Sequence, residues 1–293
     1  MMKSLIPCWK KAGSNNHRRR PFKEYHEEWF DLLKNRLLPS LRRAMHESSV
    51  AQLSTHVDIL RHHLTSYYDA LDLSAASDDV AHLLHPSAWR TPFETPFLWL
   101  SDLHPYLFTN LLRSFLSDDD ENDENNDVFQ SANLRNRFLL NNNNNNDVNE
   151  LFNRPWHIVM AWRNPPASLM ARIDQIECGV RLMVPALAER ARKAQERFVQ
   201  TVAGDYWGGR RRRDKEEEAG KAVVGKAVMA EMDEMVGVLV DANRLRRSVL
   251  AEIIGATSVY QAAMFLEGLA QFLVGFRDPD LVAEFQACKT PLN

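Results

Sequence analysis

Cysteine is scarce in this chain, and what there is cannot pair. The three cysteines, Cys8, Cys178 and Cys288, lie far apart, are odd in number and form no Cys-x-x-Cys. Neither a disulfide framework nor a zinc site is indicated, which favours a reducing, intracellular compartment. Catalytic motifs are also absent: there is no Gly-x-Gly-x-x-Gly, no Walker A loop, no Gly-x-Ser-x-Gly elbow and no His-Glu-x-x-His pair. No apolar run approaches the roughly 20 residues of a membrane-spanning helix, and Leu5-Ile6-Pro7 is too short for a secretory core. A net charge of −3 argues against nucleic-acid binding over the whole surface. Asp and Glu are abundant, but at solvent-facing helical spacing they read as surface charge. No catalytic, cofactor-binding or metal-ligating set can be nominated, and an enzyme is not expected.

Helical periodicity is what the chain does have. After a basic leader, 1–21, the residues Phe22, Tyr25, Trp29, Leu32, Leu33, Leu37 and Leu41 recur at helical spacing, with a kink expected at Pro39. Val50, Leu53, Val57, Leu60, Leu64, Tyr67 and Leu71 step by three and four into one apolar seam. Residues 80–116 are the richest stretch. Val80, Leu83 and Leu84 make a short turn. Thr91, Pro92 and Glu94 then have the order of an N-cap, a first helical position and an acidic first turn, predicting a helix through Phe93, Phe97, Leu98, Trp99 and Leu100. A further apolar run, Tyr106 to Leu116, follows the break at Ser101-Asp102-Leu103-His104-Pro105. The density of aromatics marks a core hub around Trp29, Trp89, Phe97 and Trp99, and Trp156 and Trp162 read as further core anchors.

Periodicity stops between 117 and 149. An acidic run and the asparagine homopolymer Asn141–Asn146 cannot bury a core, so a disordered insert is expected there. The acidic run lacks the mid-loop glycine and closing glutamate of a calcium loop. Structure is expected to resume at Leu151–Trp162. A long helix follows, with Leu169, Ile173, Ile176, Val180, Met183 and Leu187 inward and a kink at Pro185. Arg210–Arg213 and Glu216–Glu218 are opposed charge blocks, either a solvated loop or a nuclear-import patch. Val228, Met232, Met235, Leu239, Ala242, Val249 and Ile253 line the next helix. The final helix, Val259 to Phe276, is apolar on two sides and so belongs at the centre. Residues 278–293 read as a tail. The expected fold is all-α: one domain, 22–277, built as a single bundle of long kinked helices.

Five segments resemble a known family. Trp89-Arg90-Thr91 with Phe97-Leu98-Trp99-Leu100 matches W-[KR]-[ST]-x3-[ER]-x2-F-L-W. Phe22, Tyr25 and Trp29 match its opening pattern, and Tyr67-Tyr68-Asp69-Ala70-Leu71 its H-Y-D-E-[IL] segment. Asp241-Ala242-Asn243-Arg244-Leu245-Arg246 resembles Q-A-D-N-L-R, and Tyr260-Gln261-Ala262-Ala263-Met264-Phe265-Leu266 resembles R-Q-A-A-R-x-F-L. Together they are similar to the plant delay-of-germination domain of seed-dormancy regulators and TGA-type bZIP factors. The family's glycine-rich turn, Gly-Gly-Phe-Arg-Pro, is replaced here by Ser101-Asp102-Leu103-His104-Pro105. No basic helix and leucine heptad precede Phe22, so direct DNA contact is not expected.

The resemblance implies a non-enzymatic plant regulator or scaffold that works through protein partners, with a dormancy-type regulator acting on phosphatases, haem or transcription factors as the alternative. Some relatives are described as binding haem through histidines in the C-terminal half. No histidine follows His157 here, so that site is not carried over and no cofactor is expected. The partner surface is expected at the turns, through Tyr106, Phe108 and Arg163 and through Tyr206-Trp207, a Gly-flanked aromatic pair that either folds back or meets a partner. Cys8, beside Trp9 and two lysines, is a candidate acylation site. With the basic leader it would give peripheral contact with the plasma membrane; a disordered tail is the other reading. Cytoplasm and membrane periphery are the expected locations, the nucleus the alternative, and homo-oligomerisation stays open.

Overall fold

In the computed structural model, Phe22–Leu32 forms helix α1, which passes through a π-helical turn, Leu33–Leu37, into α2, Leu38–His46. Pro39 explains the turn. It has no N–H for the carbonyl of Asn35, and its ring would press on that carbonyl, so the preceding turn widens instead of breaking. The structure describes residues 21–47, 49–76, 78–116, 155–208 and 216–287. Most of the leader, the whole of the expected insert and Cys8 lie outside that set.

The fold is all-α. Helix α3, Val50–Ser74, is capped by the Ser49 hydroxyl, which accepts from Gln52 N–H, and buries the predicted seam from Leu53 to Leu71. Short α4, Val80–Leu84, leads through turns to a 3-10 turn, Thr95–Phe97, and a two-residue hairpin of β1, Leu98–Trp99, and β2, Asp102–Leu103. Helix α5 is Tyr106–Ser114 and α6 is Trp156–Val159. Two long helices, α7, Ala167–Gly208, and α8, Glu216–Ala256, pair along their length as an antiparallel hairpin. Helix α9, Val259–Gly275, starts with a full capping box from Ser258 and Gln261, and α10 is Pro279–Ala287. As its two apolar faces predict, α9 is central, touching α2, α3, α5 and α6.

Several expectations need correction. The helix predicted after Pro92 does not form, because Pro96 lacks the N–H that an α-helix would direct to the Pro92 carbonyl. Thr91 and Glu94 still meet as a capping pair would, Thr91 N–H donating to Glu94 Oε1 at 3.3 Å, but over a turn. Within α7 the buried seam runs Val180, Val184, Leu187, while Met183 is 45% exposed. The helix is continuous through Pro185. Val228 on α8 is also exposed, its inward place taken by Ala227. Trp156, read as a core anchor, is 71% exposed, whereas Trp162 is buried and stacks on Phe115 at 5.3 Å. Part of the C-terminal tail is helical, as α10.

Glycine matters at one crossing. Arg190 of α7 lies across α8 to reach Glu234 at 2.5 Å and Asp241 at 2.6 Å. A Cβ on Gly237, between those two carboxylates, would meet its Nη2 at 2.6 Å.

The core hub divides. Trp29 and Trp89 are buried, while Phe97 and Trp99 are half-buried. Trp29 Nε1 donates to the His63 carbonyl at 2.9 Å, and its ring lies parallel to the His63 imidazole at 5.0 Å. Trp29→Ala should therefore cost about 3–5 kcal/mol in denaturant unfolding, and Trp99→Ala less than that. Equal losses from the two would mean that the β1 face is sealed as deeply as the core.

Candidate functional site

Four of the five segments that carry the family resemblance meet inside the protein around one buried chain of charges; the fifth, Tyr260–Leu266, instead ties the start of α9 to the Ala161 carbonyl through Gln261. Arg90 is held by α3 and by the turns after α4. Its Nη1 donates to Glu94 Oε2 at 2.9 Å, and its Nη2 to Asp102 Oδ2 at 3.0 Å and to the Tyr67 hydroxyl at 2.9 Å. Burial opposes its charge, but Tyr67, Asp102 and Glu94 outweigh burial and hold its pKa above the ordinary arginine value.

Asp102 links this group to Arg246, which is completely buried on α8. Arg246 donates to the carbonyls of Leu103 at 2.8 Å, Asp102 at 3.1 Å and Leu100 at 3.2 Å, and to that of Trp99. Asn243, one turn earlier, accepts from Arg246 at 2.8 Å and donates to Asp72 at 2.7 Å, tying α8 to α3. On the other side, Arg277 donates to the Trp89 carbonyl at 2.7 Å and to His26 Nδ1 at 2.9 Å, and lies 4.3 Å over the Phe30 ring. Burial lowers the pKa of both Arg246 and Arg277.

The hairpin turn that Arg246 grips is strained. Leu100 and Ser101, its two central residues, have φ of 45° and 80°. A two-residue turn with both φ positive is the geometry that glycine and asparagine favour. Ser101, the second of the two, stands where the first glycine of the resembling family's turn would fall.

The predicted partner residues do not converge. Phe108 is buried at 1% exposure and cannot meet a partner, because α5 turns it inward beneath the hairpin. Ser101 and Asp102 of the neighbouring turn are buried too, so that turn serves the interior and not a partner. Tyr106 is half-buried and stacks on His104 at 4.9 Å, and the Trp99 ring makes a tilted contact with the same imidazole at 5.3 Å. Arg163 is exposed at the corner before α7, beside Asn164 with φ of 52°. Tyr206 and Trp207, expected in a loop, belong to the last turns of α7, about 58 Å along the helix from Ala167; their side chains lie outside the description. Sequence reasoning missed Arg246, Asn243, Asp102 and Arg90 as a unit. The signal was their membership of the matching segments, which were read for resemblance and not for charge.

Among the described residues no group of His, Cys, Asp or Glu is arranged to hold a metal ion, and no helix is long and apolar enough to cross a membrane. The network is a buried junction of hydrogen-bonded charges that ties α3, the hairpin and α8 together.

Comparison with known proteins places the chain in a family. Residues 37–114 match the DOG1 family model, described as seed dormancy control. Over 278 residues the chain is 43% identical to Protein INAPERTURATE POLLEN1 of Arabidopsis thaliana, covering 93% of this chain and 95% of that protein. The chain belongs to the inaperturate-pollen family of DOG1 proteins. It is 31% identical to the INAPERTURATE POLLEN 1 homolog of Oryza sativa subsp. japonica, covering 92% of this chain and 90% of that one. The family match spans Tyr67, Trp89-Arg90-Thr91 and Asp102. In this DOG1 protein, Asn243, Arg246 and Arg277, which complete the junction, lie beyond the matched stretch. The relatives' names support a regulatory role in pollen aperture formation and do not favour a dormancy regulator.

Two predictions follow from the geometry. Ser101→Gly should raise stability by about 1 kcal/mol, since it relieves the left-handed backbone and removes a buried hydroxyl that has no hydrogen-bond partner among the described residues. A fall in the melting temperature would show that the turn is unstrained. The second concerns acid. Burial holds His26 neutral, with its pKa lowered to about 2, and His63 likewise, lowered to about 4. The unfolded chain protonates both near pH 6.5, so protons favour unfolding. The stability they contribute is complete above about pH 6.5 and lost as pH falls toward 4, at about 1.4 kcal/mol per pH unit for each. His63→Gln should remove one such share of the slope between pH 6 and 4.5, measured by chemical denaturation. An unchanged slope would show that His63 is protonated within the folded protein.

Proposed function

We propose that this protein is a non-enzymatic scaffold that marks the plasma-membrane domains of developing pollen where exine deposition is blocked, leaving apertures. The observation that carries this is similarity to a protein named for the loss of apertures along nearly the whole of both chains, not over one shared domain.

Protein partners act on those surfaces. The basic leader, with Cys8 beside Trp9, Lys10 and Lys11 and with Arg18–Arg20 further on, supplies membrane contact. An acyl chain and a polybasic patch reinforce each other, where either alone holds weakly.

Disrupting the gene in its source plant should yield pollen without apertures. A fluorescently tagged copy should restore them and gather at the plasma membrane beneath future aperture sites. Normal apertures after complete disruption would overturn the reading. Cys8→Ser, combined with neutral residues at Lys10, Lys11 and Arg18–Arg20, should release the tagged protein from the membrane by at least several-fold. Retention of a chain beginning at Phe22 would instead assign recruitment to a partner protein.

A further inference from the structure

Between the end of α4 and the hairpin lies a half-open cavity of about 390 Å³. Leu84, Pro86, Pro92, Leu98, Trp99 and Leu100 make its walls apolar, and Arg90 and Ser101 line it as well. The volume is within the range of small-molecule sites, which combine apolar walls with a few convergent polar groups.

Two observations say what those polar groups await. First, Arg90 and Ser101 are both more than nine-tenths buried, and each keeps a polar atom, Arg90 Nε and Ser101 Oγ, with no hydrogen-bond partner among the described residues. Buried donors without partners are uncommon and costly. Second, the charges beneath the cavity do not balance. Asp102 is shared by Arg90 and Arg246, and Glu94 bonds Arg90 while its field also acts on Arg277. Three guanidiniums thus lie along two carboxylates, and the nearest further acids acting on Arg277, Glu27 and Asp31, are exposed to water. An anion would offset the one surplus positive charge, and Arg90 is the member of the chain that lines the cavity.

The geometry points to a binding site for a small organic acid, its ring-sized apolar body lying against Leu84, Pro86, Leu98 and Trp99 and its carboxylate facing Arg90 and Ser101. This site is independent of the aperture reading: it concerns a ligand of the fold, and stands or falls on binding alone. The carboxylate adds a fifth negative-to-positive contact to the buried chain, and the apolar body covers a hairpin face that is otherwise half-exposed. Binding therefore tightens the α4–hairpin contact, the same corner that Arg246 secures from below.

The test uses the purified full-length protein with 2-naphthoate as probe and 2-acetylnaphthalene as its uncharged counterpart. Binding is read by tryptophan fluorescence and by the shift in melting temperature. Saturable one-to-one binding of 2-naphthoate is expected, at least tenfold tighter than that of 2-acetylnaphthalene. Leu98→Glu, which sets a negative charge on the wall, should weaken 2-naphthoate at least tenfold with helicity unchanged. Ser101→Ala should narrow the preference for the acid severalfold, and it decides the matter if Leu98→Glu does not fold. Equal affinity for the acid and the ketone would overturn the proposal. So would no saturable binding at millimolar probe, which would mean that water alone meets Arg90, or 2-naphthoate binding that neither variant alters.

Discussion

One guanidinium, that of Arg246, holds the corner at which the helices meet. It sits without solvent contact on α8 and donates to four carbonyls of the 99–103 turn. Those carbonyls converge only because Leu100 and Ser101 take left-handed backbone conformations, which cost roughly 1–2 kcal/mol per residue away from glycine. The turn and the arginine require each other. Without the turn, a buried cation would have lost its acceptors; without the cation, several carbonyls would be buried unpaired, at about 1–3 kcal/mol for each.

From that corner the polar contacts spread to almost every element. Asp102 carries the connection to Arg90, Glu94 and Tyr67, and Asn243 carries it to Asp72 on α3, where Arg247 also binds at 2.7 Å. Arg277, after α9, ties the Trp89 carbonyl and His26 together. Such a junction adds less net stability than its number of bonds suggests, since each ion is first stripped of water. What it does provide is register. Residues distant in sequence can meet in one arrangement only, because any slip leaves a buried charge without its partner. That accounts for family segments spread from Tyr67 to Arg246 pointing inward at one place.

The long hairpin has a different character. From Met235 onward α8 is buried against both α7 and the body of the protein, whereas upstream only narrow contact with α7 remains and Val224, Val228 and Met229 face solvent. Ion pairs across the two helices, Arg190 with Glu234 and Asp241 among them, keep this part aligned. The hairpin thus begins inside the core and ends as a two-helix projection.

Helices α3, α7, α8 and α9 were legible in the sequence because a period of 3.6 places apolar residues on one face wherever the helix is later used. A disturbance of the first helix at Pro39 was legible for the same local reason, although the π-helical form it takes was not. Local pattern also named Trp29 and Trp89 as core residues. It could not say that Met183 and Val228 would face solvent, that Trp156 would stay exposed or that Phe108 would turn inward, since burial depends on which helix lies opposite. Nor could it find the hairpin: Leu100-Ser101 has no turn signature of its own, and its conformation exists because Arg246, 146 residues beyond Leu100, supplies donors for its carbonyls. Periodicity determines what a segment can become alone; pairing of buried charges between distant segments is decided only when the chain has closed on itself.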